Sequence, residues 1–66
     1  MKIQLNGETR EIPDHSTAQD LVAILELTGK RLAMEVNREI VPRTQYAQHR
    51  LQDGDQVEIV HAIGGG

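Results

Sequence analysis

Very few residues in this chain are of a type and spacing that could do chemistry. Cysteine is absent, so there is no disulfide, no thiolate ligand and no side-chain sulfur nucleophile. His15, His49 and His61 are scattered without metal-site spacing and read as surface histidines. No Ser-His-Asp set is evident, nor carboxylates in paired register. Gly64-Gly65-Gly66 is not a phosphate loop, because the Lys-Ser/Thr and the helix that a P-loop requires do not follow it. What remains is the stretch "VEIVHAIGGG", where a strand-like run gives way to three glycines and the carboxylate of Gly66. Glycine buries no side chain and loses the most conformational freedom on ordering, so these residues add nothing to a core. Either they are slack, or their slimness is itself of use.

The chain has 66 residues, which suffices for one domain, expected at 1–63 with a glycine tail at 64–66. A domain this small buries roughly 60% of the surface its unfolded chain exposes, so its core is thin. Tyr46 is the sole aromatic, so that core must be aliphatic. Ten acidic against seven basic residues give a net charge of −3. Nucleic-acid binding is not expected, since it usually needs a basic face and stacking aromatics. No apolar run approaches the about 20 residues that span a bilayer, and no apolar h-region follows Met1-Lys2-Ile3. A cytoplasmic protein with no membrane partner is expected.

The elements that must position the tail follow from the periodicities. "KIQLNGETREI" alternates apolar and polar residues about Asn6-Gly7, a strong hairpin signal because both turn positions need φ > 0. The second strand is the more polar, as an edge strand tends to be, and Pro13 ends it. In "STAQDLVAILELTG", Ala18, Leu21, Val22 and Leu25 fall on one helical face. Thr17 is placed to cap that helix with Asp20 three residues on, and Gly29 to end it. "RLAMEVN" and "EIV" read as strands about a turn at Asn37-Arg38, with Pro42 as the stop. "TQYAQH" reads as one helical turn capped by Thr44. Asp53-Gly54-Asp55 is a turn, its carboxylates serving the turn or meeting basic residues of a partner, and "QVEIVHAI" is the last strand.

The order is β-β-α-β-β-β, with the helix as a crossover that lets the first and last strands lie parallel in mid-sheet. That is an α+β, β-grasp arrangement: a mixed sheet of four or five strands with one helix across one face. Alternation then puts Val57, Ile59, His61 and Ile63 toward the helix and Val60 and Ala62 on the open face. An apolar residue on an open face beside the tail is a candidate partner anchor, so Val60 and Ala62 are the expected docking residues.

Four motifs in order carry a resemblance: Ile40-Val41-Pro42-Arg43, Ala47-Gln48-His49, Asp53-Gly54-Asp55-Gln56 and the closing Gly65-Gly66. With the element order, they make the chain similar to ubiquitin-like β-grasp proteins, and more specifically to the sulfur carriers of thiamine biosynthesis. The resemblance covers the whole chain, its first half by pattern more than by residue. Tyr46 stands where a tryptophan is familiar, and Gly64 is an extra glycine before the pair.

The resemblance implies a protein co-substrate and not an enzyme, with no bound cofactor and no metal. A ubiquitin-activating-like adenylyltransferase would spend ATP to convert the Gly66 carboxylate to an acyl-adenylate. A sulfur-transfer enzyme fed by a cysteine desulfurase would then supply sulfur, leaving a thiocarboxylate for thiazole synthase. The absence of cysteine agrees, since the C-terminal carboxylate is then the obvious handle. Gly64, Gly65 and Gly66 extend only ~10 Å at 3.3–3.6 Å per residue, so Ile63, and Ala62 with it, would join the threading segment at a deeper site. The same activation serves carriers for molybdopterin or tRNA thiolation. A non-carrier β-grasp binding module is a further possibility, and it would tolerate loss of Gly65-Gly66.

Overall fold

The computed structural model describes residues 1–61. Its elements run β1 (Lys2–Leu5), β2 (Glu8–Glu11), α1 (Ala18–Ile24), β3 (Leu32–Val36), β4 (Glu39–Val41), a 3₁₀ turn (Arg43–Gln45) and β5 (Gln56–His61). The strands form one five-stranded sheet in the order β2-β1-β5-β3-β4. β1 and β5 are parallel at its centre, and every other pairing is antiparallel. This is the β-grasp arrangement, with α1 as the crossover between the β1–β2 hairpin and the later strands.

Both hairpin turns have the sequence chemistry they need. Asn6 and Gly7 have φ of 50° and 85°, and Asn37 and Arg38 have φ of 52° and 68°. Positive φ at both central residues matches the right-handed twist of the flanking strands. Arg38 is the costlier occupant, because a side chain crowds its own backbone in the left-handed region. β2 is exposed along its whole length, as its polar sequence requires.

Helix α1 begins as its sequence dictates and ends early. The Thr17 N–H donates to Asp20 Oδ2 (2.9 Å) and the Asp20 N–H to Thr17 Oγ1 (3.1 Å), which closes a reciprocal capping box. The expected end at Gly29 is wrong. The helix stops at Ile24, with Glu26 at φ 59° in the position a glycine usually fills. The Glu26 N–H reaches the Ala23 carbonyl (3.0 Å) and the Leu27 N–H the Val22 carbonyl (2.9 Å), the paired bonds of a Schellman motif. Leu27 explains the early stop. On a continued helix it would lie about 240° round from Leu21, off the buried stripe; by reversing the chain at Glu26, Leu27 packs on the core. Gly29, at φ 80°, belongs to the link that leads into β3.

The core between helix and sheet is aliphatic, with Ile3, Leu21, Met34, Leu51 and Val57 the largest side chains fully enclosed. Tyr46, the sole aromatic, is only 4% exposed, and burial raises its phenol pKa above the usual value. Thr44 caps nothing. The 3₁₀ turn starts one residue earlier, after Pro42 at φ −62°, whose carbonyl accepts from the Gln45 N–H (2.9 Å). Proline's fixed φ sets the chain into that turn without a side-chain cap. The long link to β5 is tied to the helix start by Ala18 N–H to His49 O (2.8 Å) and Leu51 N–H to Ser16 O (2.9 Å).

Candidate docking face and the strand that leads to the tail

β5 is the element that delivers the tail. It is flanked by β1 and β3, and its last described pair is Leu32 opposite His61. Alternation along it is as the sequence reading has it. Val57 and Ile59 are 1% and 6% exposed beneath α1, whereas Val60 is 71% exposed on the face the helix leaves open. His61 follows on the helix side but is exposed, being at the end of the sheet where the core runs out. The remaining site residues, Ala62, Ile63, Gly64, Gly65 and Gly66, lie outside the described residues.

Val60 stays uncovered because its cross-strand neighbour is Ala33, too short to shield it. One row away, Glu58 sits opposite Glu35, and Glu35 in turn sits opposite Ile40 of β4. Ile40 is 74% exposed and therefore belongs to the same open face. Two opposed carboxylates gain nothing from each other across a sheet, so this face offers two apolar side chains beside a pair of like charges. Sequence reasoning missed Ile40. Three-residue β4 is too short to reveal its face by alternation, and only the register with β3 does so.

Other candidates resolve into scaffold. Asp53 Oδ1 accepts from the Lys2 N–H (2.8 Å), and Gly54 N–H donates to the Lys2 carbonyl (2.8 Å). Asp55 accepts from the Gln52 N–H (2.8 Å) and from Asn37 Nδ2 (3.1 Å). Both carboxylates thus staple the start of β5, at the end of the sheet away from His61. A cleft of about 370 Å³ beside Asp55 is lined by Asn37, Ile40, His49, Arg50 and Asp55 among others, with the Asn37 and Asp55 side chains bonded to each other. Among the described residues no cluster of His, Asp or Glu is suited to a metal ion, and no helix is long and apolar enough to cross a membrane.

The Met1 ammonium donates to the Ile12 carbonyl and to Asp14 Oδ1, each at 2.8 Å. Its pKa is raised mainly by the Asp14 hydrogen bond, and that of Asp14 is lowered mainly by the same bond. This pair fastens β1 to the segment after β2.

Known proteins agree with this architecture. The ThiS family matches residues 3–66. The sulfur carrier protein ThiS of Bacillus subtilis is 42% identical over 65 residues, which are 97% of this chain and 98% of that protein. The thiazole synthase of Paramagnetospirillum magneticum is 44% identical over all 66 residues, yet the chain spans only 20% of that protein's length. The crystal structure of the thiamine biosynthesis protein ThiS from Geobacter metallireducens superposes with a TM-score of 0.84 at 25% identity, covering both chains fully. The chain belongs to the ThiS family, the sulfur carriers of thiamine biosynthesis.

Proposed function

We propose that sulfur is carried as a thiocarboxylate on Gly66 and delivered to a thiazole synthase. The carboxylate oxygen of Gly66 attacks the α-phosphorus of ATP in a partner adenylyltransferase, and pyrophosphate leaves. The terminal sulfur of a persulfide on a sulfur-transfer enzyme, charged by a cysteine desulfurase, then attacks the acyl carbon and AMP leaves. A second thiol attacks the enzyme-side sulfur of the resulting acyl disulfide, forming an enzyme disulfide and releasing the thiocarboxylate. Activation is needed because a carboxylate is a poor electrophile, whereas AMP is a good leaving group. ATP is the partner's substrate, and the carrier itself supplies no catalytic group.

The observation that carries this reading is the course of β5. A central strand, flanked on both sides, brings the chain to His61, five residues before Gly66. The globular body can then dock outside a partner while Ile63, Gly64 and Gly65 thread toward its active site. Glycines suit a narrow channel because nothing projects from the backbone. Ordering them costs about 1–2 kcal/mol of backbone entropy per residue, which the docking contacts must offset. Val60 and Ala62 are the anchors expected from sequence, and the open face adds Ile40. The full-length coverage of this chain by one-fifth of a thiazole synthase supports that enzyme class as the sulfur acceptor.

Deletion of Gly66 is the direct test. The shortened chain should melt with the parent and no longer support ATP-dependent adenylation by the cognate adenylyltransferase. Adenylation at the parental rate would refute the assignment to Gly66.

A further inference from the structure

The β1–β2 turn does more than reverse the chain. β1 runs parallel to β5, and the Asn6 N–H donates to the Val57 carbonyl at 2.9 Å, the last backbone bond between them. Beyond it the chain leaves the sheet through Asn6 and Gly7, so the next peptide group of β1 is missing from the ladder. The Asn6 side chain takes its place. Its Oδ1 accepts from the Ile59 N–H at 2.9 Å, and its Nδ2 donates to the Ile59 carbonyl at 3.2 Å. One carboxamide thus supplies the acceptor and the donor that a further stretch of β1 would have supplied.

Among the described residues this bracket is the last hold on β5 from the β1 side, and Ile59 lies seven residues before Gly66. We propose that Asn6 is a positioning residue for the carrier reaction, its carboxamide steadying from the β1 side the strand end from which the chain departs toward the partner's active site. The proposal rests on the carrier reading given above. At full extension Gly66 can lie no more than about 23–25 Å from Ile59, so the steadiness of the strand end bears on where the tail can reach. With the bracket open, residues 58–61 are held from the β3 side alone, and the entropy lost in stilling that looser strand end is met when the segment threads. Such a loss belongs to binding and not to the chemical step, so it raises KM and leaves kcat alone. Asparagine suits both tasks of the position: it tolerates the φ of 50° that the turn needs, and it has a donor and an acceptor on one short side chain.

Asn6→Gly isolates the bracket, because glycine keeps the positive φ of the turn and deletes the carboxamide. Asn6→Asp keeps the acceptor and sets an oxygen against the Ile59 carbonyl. Two readouts are taken on the full chain: residue-resolved amide hydrogen exchange of the carrier alone, and KM and kcat of its adenylation by the cognate adenylyltransferase with ATP. For both variants, exchange at Ile59 should accelerate at least about tenfold while Met34 and Val57 stay protected. KM for the carrier should rise about tenfold with kcat within about twofold. Unchanged exchange at Ile59 would overturn the bracket. Acceleration at Met34 and Val57 as well would make Asn6 a general stability residue. Faster exchange at Ile59 with parental KM would overturn the positioning role. If the parent itself is not adenylated, the carrier reading fails, and the exchange readout still reports on the bracket.

Discussion

Replacing Val57 and Val60 in turn by aspartate puts the same charge three residues apart on one strand, with opposite expected outcomes. Val57 is 1% exposed among Ile3, Leu21 and Met34. A carboxylate there loses its water and finds no cation, at a cost of several kcal/mol. A chain of 66 residues has only about 3–10 kcal/mol of stability in all, so Val57→Asp should not fold. Val60 is 71% exposed, so it keeps under a third of the about 1.5–3 kcal/mol that full burial of a valine provides. Its loss costs about 0.5–1 kcal/mol, and repulsion from Glu58 and Glu35 on the same face adds a few tenths. At 4–8 °C per kcal/mol for a domain of this size, Val60→Asp should melt roughly 3–10 °C below the parent. Thermal melts by circular dichroism, paired with calorimetric titration against the adenylyltransferase and the thiazole synthase, read both quantities. Val60→Asp should bind at least one partner about tenfold more weakly, a loss of roughly 1.4 kcal/mol. Parental binding to both partners, or unfolding as complete as that of Val57→Asp, would refute the assignment of the open face.

Two further outcomes concern the scaffold. Glu26→Gly removes a side chain from a φ of 59° at the helix end and should raise stability by about 0.5–1 kcal/mol, read as a higher melting temperature; a lower one would mean that the Glu26 side chain contributes more than its backbone costs. The Met1–Asp14 pair should make stability fall at both ends of the pH range. The raised ammonium pKa gives a contribution present below about pH 8 and lost as pH rises through the folded value. The lowered Asp14 pKa gives one present above about pH 4 and lost as pH falls through the folded value. Asp14→Asn should melt below the parent in that window, with the gap closing toward acid and alkali. A gap independent of pH would show that the pair is not its source.

The parts of the fold legible in the sequence are those whose signal is local. Asn6-Gly7 and Asn37-Arg38 announce their turns, Thr17 and Asp20 their cap, and the alternation of β5 separates Val57 and Ile59 from Val60. The helix end was not legible, because Gly29 is the better residue for a cap by type. Glu26 is the cap because Leu27 must reach the core, a tertiary demand that no local preference records. Ile40 was hidden for a related reason, since a strand of three residues shows its face only through its partner's register. Asn6 was read for its backbone alone. That its carboxamide would meet Ile59, 53 residues on, depends on β1 and β5 lying side by side and on the turn falling one peptide short.

The central claim is that Gly66 bears sulfur, and the most direct measurement is the intact mass of the protein purified from its native cells. A fraction should be heavier by the difference between sulfur and oxygen, with fragmentation placing the change at the Gly66 carboxyl group. That fraction should vanish when the adenylyltransferase is removed. A single unmodified mass in cells actively making thiamine, or sulfur mapped to any other residue, would contradict the account.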